Sequence, residues 1–305
     1  MAIRFDDQVA LVTGAGQGLG RAHALALAAR GAKVVVNDFG GTVDGSGGST
    51  TAAQSVVDEI EAAGGTAMAD GADVSDLYQV EDMVAKVLDT WGRIDVLINN
   101  AGILRDKSFV KMEIADFRKV VDVHLMGSVN CSLAVWPTMR EQGYGRIVMT
   151  TSASGLYGNF GQSNYGAAKM AVAGLMNTLE LEGGKYNVRV NTVAPVALTR
   201  MTEEIIPEAA HALLQPEFVT PGVLFMASED APSGEIIAAG AGSFARAIVM
   251  ETEGMYLGGD DLSPEKVAEN WQSISDLSTA REMKSATDQT QKFIQQAMEA
   301  GAGDK

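Results

Sequence analysis

The stretch QVALVTGAGQGLGRAHALALAAR (residues 8–30) joins an apolar run to a segment of helical period through a glycine-rich turn. Glycine lets the backbone turn sharply and approach a ligand closely, and the N-terminus of the following helix offers free N–H groups and the positive end of its dipole. The pattern predicts a strand, a helix and, between them, a turn that holds the phosphates of a nucleotide. The residues of this turn are Gly14, Gln17, Gly18, Leu19 and Gly20. Because position 19 is Leu, the spacing departs from G-x-G-x-x-G, and an ordinary tight turn is the alternative.

Apolar segments alternate with helical segments along the first two-thirds of the chain. The candidate strands are residues 8–13, 33–37, 66–69, 94–99, 145–151 and 188–194. Several are apolar throughout, as is typical of parallel strands that helices cover on both faces. Between the strands, apolar side chains form single helical stripes, for example Val80, Met83, Val84, Val87 and Leu88. We predict an α/β fold with a Rossmann-like doubly wound parallel sheet.

After about residue 240 the alternation of strands and helices fades. Residues 263–274 predict a helix with Pro264 in its first turn, and residues 276–305 predict a polar helical segment. The glycine-rich stretch 39–50 predicts a long mobile loop rather than a linker, because the apolar pattern resumes on each side of it. We therefore expect one domain over residues 1–255 and a helical C-terminal extension over residues 256–305.

The composition excludes several classes of function. A formal net charge of −16 without a Lys/Arg run disfavours nucleic acid and anionic membranes as partners. The single cysteine, Cys131, lies in an apolar segment and predicts a buried thiol without a disulfide. His23, His124 and His211 lack the spacing of metal ligands, so we expect no metal site.

No targeting signal is visible in the sequence. The first residues, MAIRFDDQ, lack the apolar core of a signal peptide, and no run of about 18 apolar residues occurs. The last residues, GAGDK, are not a peroxisomal address of the S-K-L kind. We expect a cytoplasmic protein.

Three further strand ends carry candidate nucleotide-binding residues. Asp38 follows Gly18 by 20 residues (38 − 18 = 20), where a carboxylate accepts hydrogen bonds from the adenosine ribose and repels a 2'-phosphate. This position predicts NAD rather than NADP, although Asp38 is also compatible with a plain turn residue. Candidates on the same sheet edge are Asp73 and Val74, near the adenine, and Asn100, Ala101 and Gly102, which can also simply turn the chain.

The segment SASGLYGNFGQSNYGAAK (residues 152–169) carries the candidate catalytic groups. Tyr165 and Lys169 share one helical face, and Ser152 ends the fifth strand. A tyrosine has a pKa near 10, but a nearby ammonium stabilises its phenolate. We predict that Tyr165 takes the proton of an alcohol while hydride leaves its carbon, and that Ser152 hydrogen-bonds the reacting oxygen. A chance Y-x-x-x-K pair on a surface helix is the alternative.

The ordered set of these motifs resembles the short-chain dehydrogenase/reductase family. The matching elements are Thr13-Gly14-x-x-x-Gly18-x-Gly20, Asn99-Asn100-Ala101-Gly102, Ser152 and Tyr165-x-x-x-Lys169. The resemblance implies a nicotinamide cofactor that also contacts Tyr165 and Lys169, and a homodimer or homotetramer. It also implies a proton relay through an asparagine, whose place His124 takes here, and a cofactor contact from Thr199. The roles of His124 in a relay and in plain packing both stay open.

A closer resemblance concerns the subfamily of (3R)-hydroxyacyl-CoA dehydrogenase units of peroxisomal multifunctional enzymes and their stand-alone bacterial relatives. It is carried by VVVNDFGG, NNAGILRDKSF, VDVHLMGS, SASGLYGNFGQSNYGAAK and SPEKVAENW. It implies NAD-dependent oxidation of a 3-hydroxyacyl-CoA. The alternatives are oxidation of a steroid or another secondary alcohol, reduction of a 3-oxoacyl group on a carrier protein, and a catalytically silent nucleotide-binding scaffold.

The acidic chain needs a local basic rim if its substrate is the anion coenzyme A. Arg105, Lys107 and Arg200 are the candidates for this rim, because they follow predicted strand ends. Met201, Ile205 and Ile206 predict an apolar lid over the substrate, and the same residue types are equally common in a core.

Overall fold

The computed structural model describes residues 2–203 and 207–303. The chain forms two compact units, of which the first ends at Arg246 and the second begins at Ala247. The division at residue 255 that the sequence suggested stays a prediction. Within the described residues, no helix is both long and apolar enough to span a bilayer.

An eight-stranded sheet forms the centre of the first unit, in the order β3-β2-β1-β4-β5-β6-β7-β8. The strands are β1 Val9–Thr13, β2 Lys33–Asn37, β3 Thr66–Asp70, β4 Val96–Asn99, β5 Gly145–Thr150, β6 Val188–Val196, β7 Ile236–Gly240 and β8 Ser243–Ala247. The pairs from β3 through β7 are parallel, with Leu11 aligned to Val35 on one side and Leu97 on the other. All three side chains are fully buried, which agrees with a sheet covered on both faces. The predicted fold class is confirmed.

Helices cover this sheet and bury the apolar stripes that the sequence predicted. They are α1 Gly18–Ala28, α2 Thr51–Ala62, α3 Leu77–Trp91, α4 Ile114–Val121, α5 Gly127–Gln142, α6 Ala153–Tyr157, α7 Ser163–Gly183 and α8 Thr220–Met226. A π-helical turn, Asp122–Met126, joins α4 to α5, and short 3₁₀ turns lie at Phe109–Lys111, Gly184–Tyr186, Glu208–Leu213 and Pro216–Phe218. Cys131 is buried, which raises the pKa of its thiol to about 12, as expected of a packing residue.

The second unit contains short elements and one long helix. They are β9 Met250–Glu251, α9 Pro264–Glu269, α10 Trp271–Ile274, β10 Arg281–Glu282 and α11 Ala286–Gly303, with 3₁₀ turns at Gly259–Asp261 and Leu277–Thr279. The single helix predicted over 263–274 is thus two helices that meet at Asn270. The Asn270 amide donates to the carbonyl oxygen of Lys266 at 2.9 Å, and asparagine side chains that bond to nearby backbone in this way interrupt helices.

The order of the strands places a crevice at one edge of the sheet. The chain builds β1, β2 and β3 outward and then returns to β4 on the other side of β1. In open α/β sheets, ligands bind outside the carboxyl ends of the strands at such a switch point. The turns after β1, β2 and β4 therefore meet in one place.

Candidate active site

The crevice has a volume of about 430 Å³ and contains nearly every residue predicted to bind a cofactor. Those residues are Gly14, Gln17, Gly18, Leu19, Asp38, Asp73, Val74, Asn100, Ala101, Gly102, Tyr165, Lys169 and Thr199. Gly20 is the exception. A Cβ at Gly20 would lie 2.3 Å from the carbonyl oxygen of Gly14, so this glycine lets α1 pack on the turn and does not line the crevice.

The glycine turn has the backbone that only glycine adopts easily. Gly14 and Gly18 have φ of 60° and 55°, in the left-handed region. A Cβ at Gly14 would lie 2.8 Å from Cα of Ala101, whereas one at Gly18 would meet only Thr199, 3.5 Å away. The turn is therefore closed towards the loop after β4 and open towards the crevice.

Thr13 stabilises this turn through hydrogen bonds. It was not among the site residues predicted from the sequence. Its Oγ1 accepts the backbone N–H groups of Asn100 and Ala101 at 3.0 and 3.1 Å. The Asn100 amide in turn donates to the carbonyl oxygens of Thr13 and Gly14 at 2.9 and 3.0 Å. Asn100 therefore acts by fixing the turn, and the threonine before the first glycine was the available signal.

Asp38 lies where the sequence placed it and also fixes the surrounding backbone. Its two carboxylate oxygens accept the N–H groups of Gly16 at 2.8 Å and Gly40 at 2.7 Å. Asp38 therefore organises the turn, and each carboxylate oxygen can accept a second hydrogen bond. Its contact with a ribose stays a prediction. With the open side of Gly18, this donor and acceptor set fits a dinucleotide.

The loop of residues 39–49, which we call the cofactor loop, is held against the crevice. The carbonyl oxygen of Val43 accepts the Leu104 N–H at 3.0 Å, and that of Asp44 accepts Nε of Arg105 at 2.8 Å. Within the loop, hydrogen bonds from Thr42 and Ser46 lower the pKa of Asp44 to about 2. These partners lie about sixty residues further along the chain, at 104 and 105. The mobility that the glycine-rich composition predicted stays a prediction.

Ser152, Tyr165 and Lys169 meet at the other end of the crevice. Ser152 caps α6, and its Oγ accepts the Ser154 N–H at 3.1 Å. Nζ of Lys169 lies 5.6 Å from the centre of the Tyr165 ring and donates to the carbonyl oxygen of Thr150 at 2.5 Å. Helix α7 carries both side chains on one face, as the i, i+4 spacing predicted.

Burial dominates the titration of this pair. It raises the pKa of the Tyr165 phenol, and a hydrogen bond with Ser152 opposes that rise. It also lowers the pKa of Lys169 to about 7. The sequence predicted that the Lys169 ammonium would lower the pKa of Tyr165. In the structure the lysine is itself desolvated, so near neutral pH its charge depends on the pH.

His124 packs against Tyr165. Its ring is perpendicular to that of Tyr165, with 5.0 Å between centroids. Its Nε2 lies 3.1 Å from the Ile103 nitrogen and 2.8 Å from the Ile103 oxygen, so it accepts from the N–H in one tautomer and donates to the carbonyl in the other. Burial and the charge of Lys169 lower the pKa of His124 well below its usual value, so the ring is neutral. Among the described residues its Nδ1 has no hydrogen-bond partner, and the relay role stays a prediction.

The predicted basic rim separates into two parts. Arg105 and Lys107 both pair with Asp116, at 3.0 and 2.9 Å, and Lys107 also pairs with Glu113 at 3.0 Å. Their charges are thus neutralised, which argues against a direct contact with coenzyme A. Arg200 is exposed and lines the crevice.

The predicted lid falls only partly on the described residues. Met201 lines the crevice beside Thr199, whose Oγ1 accepts the Met201 N–H at 3.2 Å. Ile205 and Ile206 lie outside the described residues. Among the described residues, no cluster of His, Cys, Asp and Glu has the arrangement of a metal site.

Comparison with known proteins identifies the family. The model of the short chain dehydrogenase family matches residues 8–210. Peroxisomal multifunctional enzyme type 2 of Mus musculus is 46% identical over 291 residues, covering 94% of this chain and 39% of that protein. A putative short-chain type dehydrogenase/reductase of Mycobacterium tuberculosis is 45% identical over 278 residues, covering 90% of this chain and 96% of that protein. The structure of a 7α-hydroxysteroid dehydrogenase complexed with NADH and 7-oxo glycochenodeoxycholic acid has a TM-score of 0.71 and 30% identity, covering 79% of this chain and 95% of that chain.

The chain belongs to the short-chain dehydrogenase family and is an oxidoreductase that acts on CH–OH groups. It spans less than half of the mouse enzyme's length and nearly all of the mycobacterial protein's. Its family and the NADH complex of the solved relative indicate a nicotinamide cofactor.

Proposed function

We propose that this short-chain dehydrogenase oxidises a 3-hydroxyacyl-CoA to the 3-oxoacyl-CoA with NAD as the hydride acceptor. The similarity to multifunctional enzyme type 2 over 94% of the chain carries the substrate class. The carboxylate of Asp38 at the ribose position supports NAD, because it would repel a 2'-phosphate. A 3-hydroxyacyl-CoA and NAD⁺ would give a 3-oxoacyl-CoA, NADH and one proton.

In the proposed reaction, Ser152, Tyr165 and Lys169 have separate tasks. The bound nicotinamide would supply the hydride acceptor. Ser152 donates a hydrogen bond to the substrate oxygen and keeps it within reach of the Tyr165 phenol, which as the phenolate takes the hydroxyl proton while the C3–H bond breaks. Charged Lys169 favours the phenolate, and its anchor at Thr150 fixes its position.

Arg200 is the side chain best placed to meet an anionic group of the substrate. It lines the crevice, and within residues 2–203 and 207–303 no ion pair occupies it. A phosphate of coenzyme A is a suitable partner, since a guanidinium binds phosphate oxygens with two parallel N–H donors.

The first test measures NADH formation with NAD or NADP and a panel of (3R)- and (3S)-hydroxyacyl-CoAs, hydroxysteroids and simple secondary alcohols. We expect turnover of the (3R) thioesters with NAD and loss of turnover, but not of NAD binding, in Tyr165→Phe. Activity confined to steroids, or to NADPH with 3-oxoacyl groups on a carrier protein, would contradict the proposal.

A second test separates recognition of coenzyme A from recognition of the acyl group. Replacing Arg200 with Ala should raise the KM of the CoA thioester by about tenfold, as for the loss of one charged hydrogen bond. The KM of the matching N-acetylcysteamine thioester, which has no phosphate, should not change. Lys107→Ala is the control, because its charge is already paired. Equal effects on both thioesters would exclude a phosphate contact.

A further inference from the structure

Arg105 lies between the cofactor loop and the start of helix α7. On the loop side, its Nε donates to the carbonyl oxygen of Asp44 at 2.8 Å, beside the hydrogen bond from Leu104 to Val43 at 3.0 Å. A Cβ at Gly45 would lie 3.1 Å from Ile103, so the loop and this segment are in close contact. The loop lines the crevice through Phe39, Gly41, Thr42, Val43 and Gly45.

On the helix side, the segment of residues 103–107 bonds to the residues that precede Tyr165. The carbonyl oxygen of Arg105 accepts the Asn164 amide at 3.0 Å, and Oδ1 of Asn164 accepts the Tyr165 N–H at 2.8 Å. Asn164 is fully buried. Two more hydrogen bonds join the segments: Lys107 N–H to Gly161 O at 2.9 Å, and Gln162 Nε2 to Asp106 Oδ2 at 2.7 Å.

We propose that Arg105 is a positioning residue that couples occupancy of the cofactor crevice to the placement of Tyr165. A cofactor that contacts the cofactor loop restricts the loop, and the side chain of Arg105 passes this restriction to its own backbone, which holds Asn164. Such coupling is reciprocal. When Arg105 holds the loop in its binding position, the cofactor spends less free energy on ordering the loop and binds more tightly. The proposal goes beyond the reaction above and does not depend on the substrate.

The chain offers a matched control for this role. Lys107 pairs with the same carboxylate, Asp116, at 2.9 Å, against 3.0 Å for Arg105. No hydrogen bond joins the Lys107 side chain to the cofactor loop, as far as the described residues show. Lys107→Ala therefore removes the comparable ion pair with Asp116, and a second one with Glu113, and leaves the loop contact intact. Arg105→Lys keeps the charge, but lysine lacks the planar guanidinium that bonds to Asp44 and Asp116 at the same time.

The experiment measures binding without a substrate. NADH is titrated by calorimetry into the wild type, Arg105→Ala, Arg105→Lys and Lys107→Ala, and the titrations are repeated with NADPH. Amide hydrogen exchange over residues 161–166 is then measured with and without the cofactor that binds more tightly. We expect Arg105→Ala to raise the dissociation constant about tenfold, equivalent to about 1.4 kcal/mol. We expect Arg105→Lys to do nearly the same and Lys107→Ala to stay within about twofold of the wild type. The cofactor should slow exchange over 161–166 in the wild type and in Lys107→Ala, but not in Arg105→Ala.

Each other outcome overturns part of the reasoning. Unchanged cofactor affinity in Arg105→Ala would show that the loop contact has no effect on binding. Equal weakening by Arg105→Ala and Lys107→Ala would assign the effect to Asp116. Weaker binding with the exchange pattern retained would leave Arg105 as a loop anchor without coupling to Tyr165. Arg105→Ala could instead raise the KM of a CoA thioester without changing cofactor affinity, while Arg105→Lys keeps the wild-type KM. That result would make Arg105 a substrate contact. If Arg105→Ala does not fold, Arg105→Lys carries the same comparisons.

Discussion

Gly102→Ala should impair both stability and catalysis, because the ring of His124 occupies the space of the new methyl group. A Cβ at Gly102 would lie 2.3 Å from Cε1 of His124 and 3.0 Å from its Nδ1. Ordinary contact begins at 3.4 Å, so the ring would have to move by about 1.1 Å (3.4 − 2.3 = 1.1). It cannot move freely, because Ile103 holds its Nε2 and Tyr165 lies against its edge.

The magnitude follows from these contacts. Overpacking of a filled site costs about 1–3 kcal/mol, and losing the hydrogen bond to Ile103 adds about 1 kcal/mol. We therefore expect Gly102→Ala to lower the free energy of unfolding by about 2–4 kcal/mol. A displacement of about 1 Å passed on to Tyr165 can lower kcat by about 100-fold.

Denaturant unfolding and steady-state kinetics check both numbers. The control is Gly174→Ala in α7, where a Cβ would meet nothing within 4 Å, and where alanine should stabilise the helix by up to about 1 kcal/mol. The clash also predicts that His124→Ala and Gly102→Ala are not additive, since removing the ring removes the obstacle to the methyl group. Full additivity, or a Gly102→Ala variant with wild-type stability and kcat, would refute the reasoning.

Three further changes probe the rest of the fold by denaturant unfolding. Burial lowers the pKa of His23 to about 3, and its Nδ1 bonds to Thr220 Oγ1 at 2.9 Å. The neutral ring therefore contributes its full stabilisation above the unfolded pKa near 6.5, and this contribution falls as the pH falls towards 3, by about 2 kcal/mol at pH 5. His23→Asn should make the free energy of unfolding depend less steeply on pH between 3 and 6.5. An unchanged slope would contradict this role of His23. Ala241 has φ of 51° in the two-residue turn between β7 and β8, so Ala241→Asn should stabilise the protein by about 1 kcal/mol, and a loss of stability would show that the turn requires alanine. Arg146 is 1% exposed and donates to four backbone carbonyl oxygens. Arg146→Lys should therefore lower the free energy of unfolding by at least about 2 kcal/mol. A neutral effect would mean that these carbonyl groups find other donors.

The local chemistry of the site could be predicted from the sequence because it depends on short spacings. The strand, turn and helix around Gly14 and Gly18 are contiguous, and Tyr165 and Lys169 share a face through the helical period alone. Asp38 follows from the fixed length of one strand–helix–strand unit. These features need only the covalent chain and its regular hydrogen bonding, so their order along the sequence also indicated the family.

The tertiary structure decided what depends on partners distant in sequence. Arg105 and Lys107 were expected to bind a substrate anion, and in the structure both pair with the carboxylate of Asp116, and Lys107 also with that of Glu113. The cofactor loop bonds to residues 104 and 105, about sixty positions further along the chain. Burial by surrounding elements raises the pKa of Tyr165, against a hydrogen bond with Ser152, and lowers that of Lys169 to about 7. The sequence determined which groups the site contains, whereas desolvation and long-range hydrogen bonds, which exist only after packing, decided their charge and their partners.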